Sequence, residues 1–208
     1  MSILFRAVSL AALPLLFVTM AAAQGSFDAY VGATAITNSS NGQMIDAFGT
    51  GDFIGTPKLN GAALKLGASV FVTPQFGIGG ALSIRPGKSD YSGLLYRPIF
   101  YDINGIWKPA VGQNRVVPEL QAGLGGTSLR FYLPASCDVI LGCVSSNTYL
   151  ASSNHLQVHF GVGVRFYVTN SIFVRPEFDA HWVRNFFQFG SNFVPEYGAV
   201  IGYTFGGR

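Results

Sequence analysis

Between Leu156 and Trp182 the side chains able to carry charge or move a proton fall on every second residue. His159 and Arg165 stand in the first half, and Arg175, Glu177, Asp179 and His181 follow in the second, with apolar residues or glycine between them. In an extended chain alternate side chains point to opposite faces, so this spacing gathers the charged groups on one face. Such a face can hold mutually neutralising ion pairs, or it can transfer protons where a His activates a neighbouring hydroxyl. For the second, His155, His159, His181, Asp179 and Ser153 supply the residue types. A base must sit within hydrogen-bond reach of its nucleophile, however, and no catalytic motif joins these residues. The expectation is a non-enzymatic protein with no catalytic, cofactor-binding or metal-ligating residues, whose chemistry is electrostatic.

Alternation of this length is a strand signal, and it recurs along the chain. It predicts eight strands, at 26–36, 59–73, 75–85, 95–108, 115–132, 154–168, 172–186 and 195–205. Leu64, Leu66 and Val70 oppose Lys65 and Ser69, and Leu82 and Ile84 oppose Ser83 and Arg85. Ile103 and Trp107 oppose Asp102 and Asn104, Leu120 and Leu124 oppose Glu119 and Gln121, and Tyr197, Ile201 and Tyr203 oppose Glu196 and Thr204. A one-residue slip would turn every charge to the wrong face, so the phase is as informative as the count. The connections alternate in length. Thr37–Lys58 and Leu133–Ser153 are long, Pro86–Leu94 and Phe187–Val194 intermediate, and Thr73-Pro74-Gln75, Pro109–Asn114 and Thr169-Asn170-Ser171 short.

Composition decides which solvents the two faces meet. The chain is 49% hydrophobic and only 11% charged, against roughly 25% charged in ordinary soluble domains. After Ala23 no run approaches the ~18 consecutive apolar residues of a membrane helix. Lipid outside and a polar lumen inside satisfy both faces, which predicts an all-β, eight-stranded antiparallel up-and-down transmembrane β-barrel. A secreted soluble barrel of lipocalin type is the alternative, with the apolar faces turned inward. The predicted lumen collects Lys65, Arg85, Asp102, Glu119, His159, Arg165, Arg175, Glu177, Asp179, His181 and Glu196. An eight-stranded barrel is just wide enough for side chains to fill it. These charges must therefore pair, and the expected network joins Arg165 and Arg175 to Glu119, Glu177, Asp179 and Glu196. The 26 glycines, many within strands as in Gly77-Ile78-Gly79-Gly80, suit tight bending and a narrow lumen.

The ends and the cysteines set the compartment. Arg6, an apolar run from Ala7 to Met20 and Ala21-Ala22-Ala23 read as a signal peptide over 1–23, leaving a barrel domain over 24–208. In an exported chain Cys137 and Cys143 read as a loop-stapling disulfide, with Val139, Ile140 and Leu141 as an apolar tip between them. The 13 basic and 10 acidic residues form no basic patch, so nucleic acid is not an expected partner.

Together, the leader, the eight amphipathic strands and the closing Ala199-Val200-Ile201-Gly202-Tyr203-Thr204-Phe205 resemble the outer-membrane β-barrel domain family, the OmpA/OmpX-like and OmpW-like small barrels. The resemblance covers the whole chain after the leader and implies a monomer in the bacterial outer membrane, among its lipids and lipopolysaccharide. It also implies recognition of the last strand by the barrel-assembly machinery, although Gly206-Gly207-Arg208 follow where an aromatic usually ends the chain. The expected role is structural or interactive: a lumen filled by charge, and loops open to an extracellular ligand or host surface. A narrow channel for ions or small solutes is the alternative, and a lipid-A-modifying enzyme a more distant one.

Overall fold

In a computed structural model the chain forms a closed barrel of eight antiparallel strands; the structure describes residues 25–38, 44–46, 49–110, 115–138, 142–144 and 148–206. The strands are β1 (Ser26–Ile36), β2 (Gly61–Phe71), β3 (Phe76–Ile84), β4 (Leu94–Trp107), β5 (Val116–Tyr132), β6 (Tyr149–Tyr167), β7 (Ile172–Val183) and β8 (Phe193–Phe205). Each pairs with its neighbours in sequence, and β8 returns to β1 with Phe27 opposite Phe205 and Ile36 opposite Glu196. No edge is left unpaired, as a sheet in hydrocarbon requires. No helix among the described residues is long and apolar enough to cross a membrane; the strands do the crossing.

The predicted faces hold on every strand. On β4 Asp102, Asn104 and Ile106 are buried inside while Ile103 and Trp107 are exposed outside. On β6 Gln157, His159 and Arg165 are buried, and Leu156, Phe160, Val162 and Phe166 are exposed. Outward rings gather at the ends. Phe76 stacks on Trp107 and Tyr203 meets Phe205 at the periplasmic end, and Trp182 meets Phe193 at the other. These belts suit the interfacial depth, where amphipathic rings prefer to sit.

The strand glycines have a specific use. Tyr30 lies over its cross-strand partner Gly67, Phe173 over Gly202 and Tyr101 over Gly126, and in each case a Cβ on the glycine would meet the aromatic side chain within 2.4 Å. A flat ring laid on the neighbouring strand needs a partner without a side chain, so register and glycine placement are one constraint. Gly125 is tighter still, since a Cβ there would come 1.9 Å from the Tyr101 carbonyl oxygen.

The boundaries depart from expectation mainly at the extracellular end. β6 begins at Tyr149 rather than 154, with an irregularity between Tyr149 and Ala151. β7 stops at Val183 rather than 186: Asn185 takes φ of 57°, and a 3-10 turn follows at Phe187–Phe189. Ser89–Tyr91 continues the sheet beside the start of β4 through a tight turn at Ser92 (φ 49°) and Gly93 (φ 84°), both left-handed as a twisted two-residue hairpin requires. Two short hairpins, Met44–Ile45 with Ile54–Gly55 and Ser136–Asp138 with Gly142–Val144, stand within the long loops. The predicted signal peptide lies outside the described residues.

Candidate functional site: a filled lumen

Three inward residues of β1, Asp28, Tyr30 and Thr34, face the charged residues of β5 to β8 across the barrel. Arg165 on β6 pairs with Asp28 and Glu119, and Arg175 on β7 pairs with Glu119 and, at 2.7 Å, with Glu177. Glu119 thus bridges two guanidinium groups while accepting a further bond from Gln121 Nε2 at 2.8 Å. The guanidinium planes are also covered by rings: Arg165 lies 4.5 Å from the Phe173 centroid, and Arg175 lies 4.4 Å from that of Tyr30. Arginine suits such a place because its fork engages two carboxylates while its weakly hydrated face stacks.

Lys65 on β2 continues the chain of charge, with its Nζ 2.8 Å from Glu177 and 2.5 Å from Asp179. The other oxygen of Asp179 faces His159 Nε2 at 2.9 Å, and His159 Nδ1 faces Asn104 Oδ1 at 2.8 Å. One layer nearer the outside, Glu196 Oε1 accepts from Thr34 and Ser83 at 2.6 and 2.8 Å, while its Oε2 meets His181 Nε2 at 3.1 Å. At the periplasmic mouth, beyond the end of β4, the Lys108 ammonium lies 3.3 Å from the Phe71 ring centroid. Burial, with Arg165 nearby, pushes its pKa down to about 8.

The network therefore differs from the expected one in its partners. Asp179 belongs to Lys65 and His159, and Glu196 belongs to His181, Thr34 and Ser83; neither reaches an arginine. The arginines instead take Asp28. Alternation identifies which residues point inward, whereas the stagger between strands decides which share a layer. Arg85 joins no carboxylate either. It donates to the carbonyls of Lys58, Leu59 and Asn60 at 3.2, 3.0 and 3.3 Å, fixing the chain as it enters β2. Asp102 accepts from Asn104 and stands 3.9 Å from His159.

The alternation predicts a polar lumen, but at the extracellular end the interior is apolar. Phe186 and Phe189, brought inward by the turn after β7, stack on each other at 4.4 Å and are fully buried. Tyr91, Tyr96, Phe100, Leu59, Leu129, Val183, Val194 and Ile36 close around them. The lumen is thus filled twice, by ion pairs below and by aromatic side chains above.

At the rim Ser153 Oγ lies 3.0 Å from His155 Nε2, and His155 Nδ1 faces the Arg184 carbonyl at 3.2 Å. A Ser–His contact is the start of a nucleophile–base pair. Here the imidazole also packs edge-on to Phe186 and ties β6 to the segment that carries the plug. His159, His181 and Asp179 lie deeper inside, apart from it. Cys137 and Cys143 are directly opposed in register in their hairpin.

No family model matches the sequence, and no curated protein matches it. Solved structures do. Neisserial surface protein A aligns with 88% of this chain and 97% of its own at a TM-score of 0.55 and 13% identity. Ail, the attachment invasion locus protein of Yersinia pestis, solved in complex with the heparin analogue sucrose octasulfate, aligns with 87% of this chain and 99% of its own at 0.52 and 13% identity. This chain has the fold of the small outer-membrane β-barrels. At such identity the likeness fixes the barrel and leaves each protein its own loops and lumen. The plug and the ion pairs of this small barrel are read from its own residues.

Proposed function

We propose that the protein is a closed outer-membrane scaffold that presents its extracellular loops for binding, with no transport path and no catalytic role. The observation that carries this reading is the doubly filled lumen: Glu119, Arg165 and Arg175 below, Phe186 and Phe189 above. Buried ion pairs and packed rings are expensive to open, which favours a rigid stave over a pore. Function then passes to the loops, where binding residues commonly sit on rigid supports. The Ser136–Asp138 and Gly142–Val144 hairpin, rising above the extended ends of β5 and β6, is the foremost of these. Closure of Cys137 on Cys143 staples it and lowers the entropic cost of contact with a partner.

Ail, a barrel of this fold, was solved in complex with the heparin analogue sucrose octasulfate. The reading for this chain is tested by inserting an epitope between Asp138 and Gly142, and separately at Thr169-Asn170-Ser171. On intact cells antibody is expected to reach the first and to reach the second only after the outer membrane is opened. Access to the second alone would invert the topology, and free solubility of both would remove the protein from the membrane.

A further inference from the structure

One group lies at the edge of the ion-pair chain just described, joined to it through Asp179 and Glu196. Asp102 on β4, His159 on β6 and His181 on β7 are all buried, and one donor atom from each lies within 4.8 Å of the other two. The histidine rings are 5.0 Å apart between centroids. Their outer nitrogens are already held in the manner of metal ligands. His181 Nε2 meets Glu196 at 3.1 Å and His159 Nε2 meets Asp179 at 2.9 Å, the carboxylate–imidazole arrangement that fixes the tautomer of a ligating histidine. That leaves the Nδ1 atoms. His181 Nδ1 is buried with no hydrogen-bond partner, whereas His159 Nδ1 is engaged by Asn104 Oδ1 at 2.8 Å and lies 3.9 Å from Asp102 Oδ1. The His181 nitrogen is one of several buried polar atoms without a partner, with Ser69 Oγ and Thr204 Oγ1 among the others, and it is the one that is a nitrogen ligand beside a second histidine and a carboxylate.

Charge points the same way. The buried charged residues are six carboxylates, Asp28, Asp102, Glu119, Glu177, Asp179 and Glu196, against four cations, Lys65, Arg85, Arg165 and Arg175. With His159 and His181 neutral the deficit is two positive charges, and Asp102 and Glu196 are the two carboxylates whose ion pairs are with histidine alone. We propose that Asp102, His159 and His181 form a binding site for one divalent transition-metal ion of the zinc class, held in the middle of the lumen. Two imidazoles and one carboxylate match the ligand preferences of Zn²⁺ and leave a fourth position for water or the Asn104 amide oxygen. Bonds of roughly 2.0–2.2 Å require the three donors to draw together and the Asn104 amide to turn from His159. These are side-chain adjustments that leave the strands in place. The ion would cross-link β4, β6 and β7 from within and neutralise the excess charge.

Because the lumen is filled at both ends, the metal is offered during refolding. The chain from Gln24 is refolded into detergent micelles with Zn²⁺, freed of excess metal by gel filtration, and assayed for zinc per folded chain, folding being read from the heat-modifiable gel band. The expected result is one Zn²⁺ per folded barrel, at least a tenfold loss of retention in folded Asp102→Asn and His181→Gln, and unchanged retention in His155→Ala, which removes the rim histidine. X-ray absorption of the zinc-loaded wild type, expected to show two imidazole ligands, decides the matter if the lumen variants do not fold. A folded wild type without retained zinc, equal retention by folded lumen variants, or fewer than two imidazoles at the metal would each overturn the proposal.

Discussion

Glu119→Gln is expected to destabilise the folded barrel by about 3–5 kcal/mol, the cost of removing one partner from a buried ion pair. Glu119 is fully buried and is the one carboxylate shared by Arg165 and Arg175. The amide keeps its size and removes its charge. Two guanidinium groups are then left facing each other across a neutral side chain in a medium that screens them poorly. Asp28 and Glu177 still hold one arginine each, so the barrel should fold with a lower midpoint in urea rather than fail outright. Pairing the change with Arg175→Met should recover part of the loss, because a missing pair costs less than a broken one. A loss below about 1 kcal/mol would place the network among the weakly coupled surface pairs.

The second large effect is expected in the aromatic plug. Phe189→Ala removes a fully buried ring stacked at 4.4 Å on Phe186 and 5.5 Å from Tyr96. Truncating such a ring costs about 3–5 kcal/mol through lost contact and the cavity left behind. Phe187, two residues earlier and 61% exposed, is the control: Phe187→Ala should change stability by less than about 0.5 kcal/mol. The comparison is read from equilibrium unfolding of the refolded protein in urea. Equal, small changes at both positions would mean that the turn does not pack into the barrel mouth as the structure has it.

The sequence makes the barrel legible because its inside and outside follow a period of two, and that period survives on strands as different as β4 and β6. The inward residues of the strands follow from alternation alone. Their partners do not. Asp28 and Arg165 are 137 residues apart and meet only through the stagger of strands around the closed sheet. The same holds for the glycines, whose pairing with Tyr30, Tyr101 and Phe173 is visible only once register is known. The plug was hidden for a different reason. Phe186 continues the alternation of β7, and only the left-handed backbone at Asn185 ends the strand and sends the rings inward. The Asp102, His159 and His181 group was hidden by distribution, since its residues lie on three strands with none of the short spacings that mark a ligand set.

The lumen is closed by its own side chains. Planar-bilayer recording of the refolded protein, its folding established on the same sample by resistance to unheated detergent gels, tests this most directly. A filled lumen leaves the membrane silent for the wild type across the applied voltages. Discrete conductance steps from the folded wild type, shifted in size or open time by Glu177→Gln, would contradict it and make the ion pairs the gate of a pore.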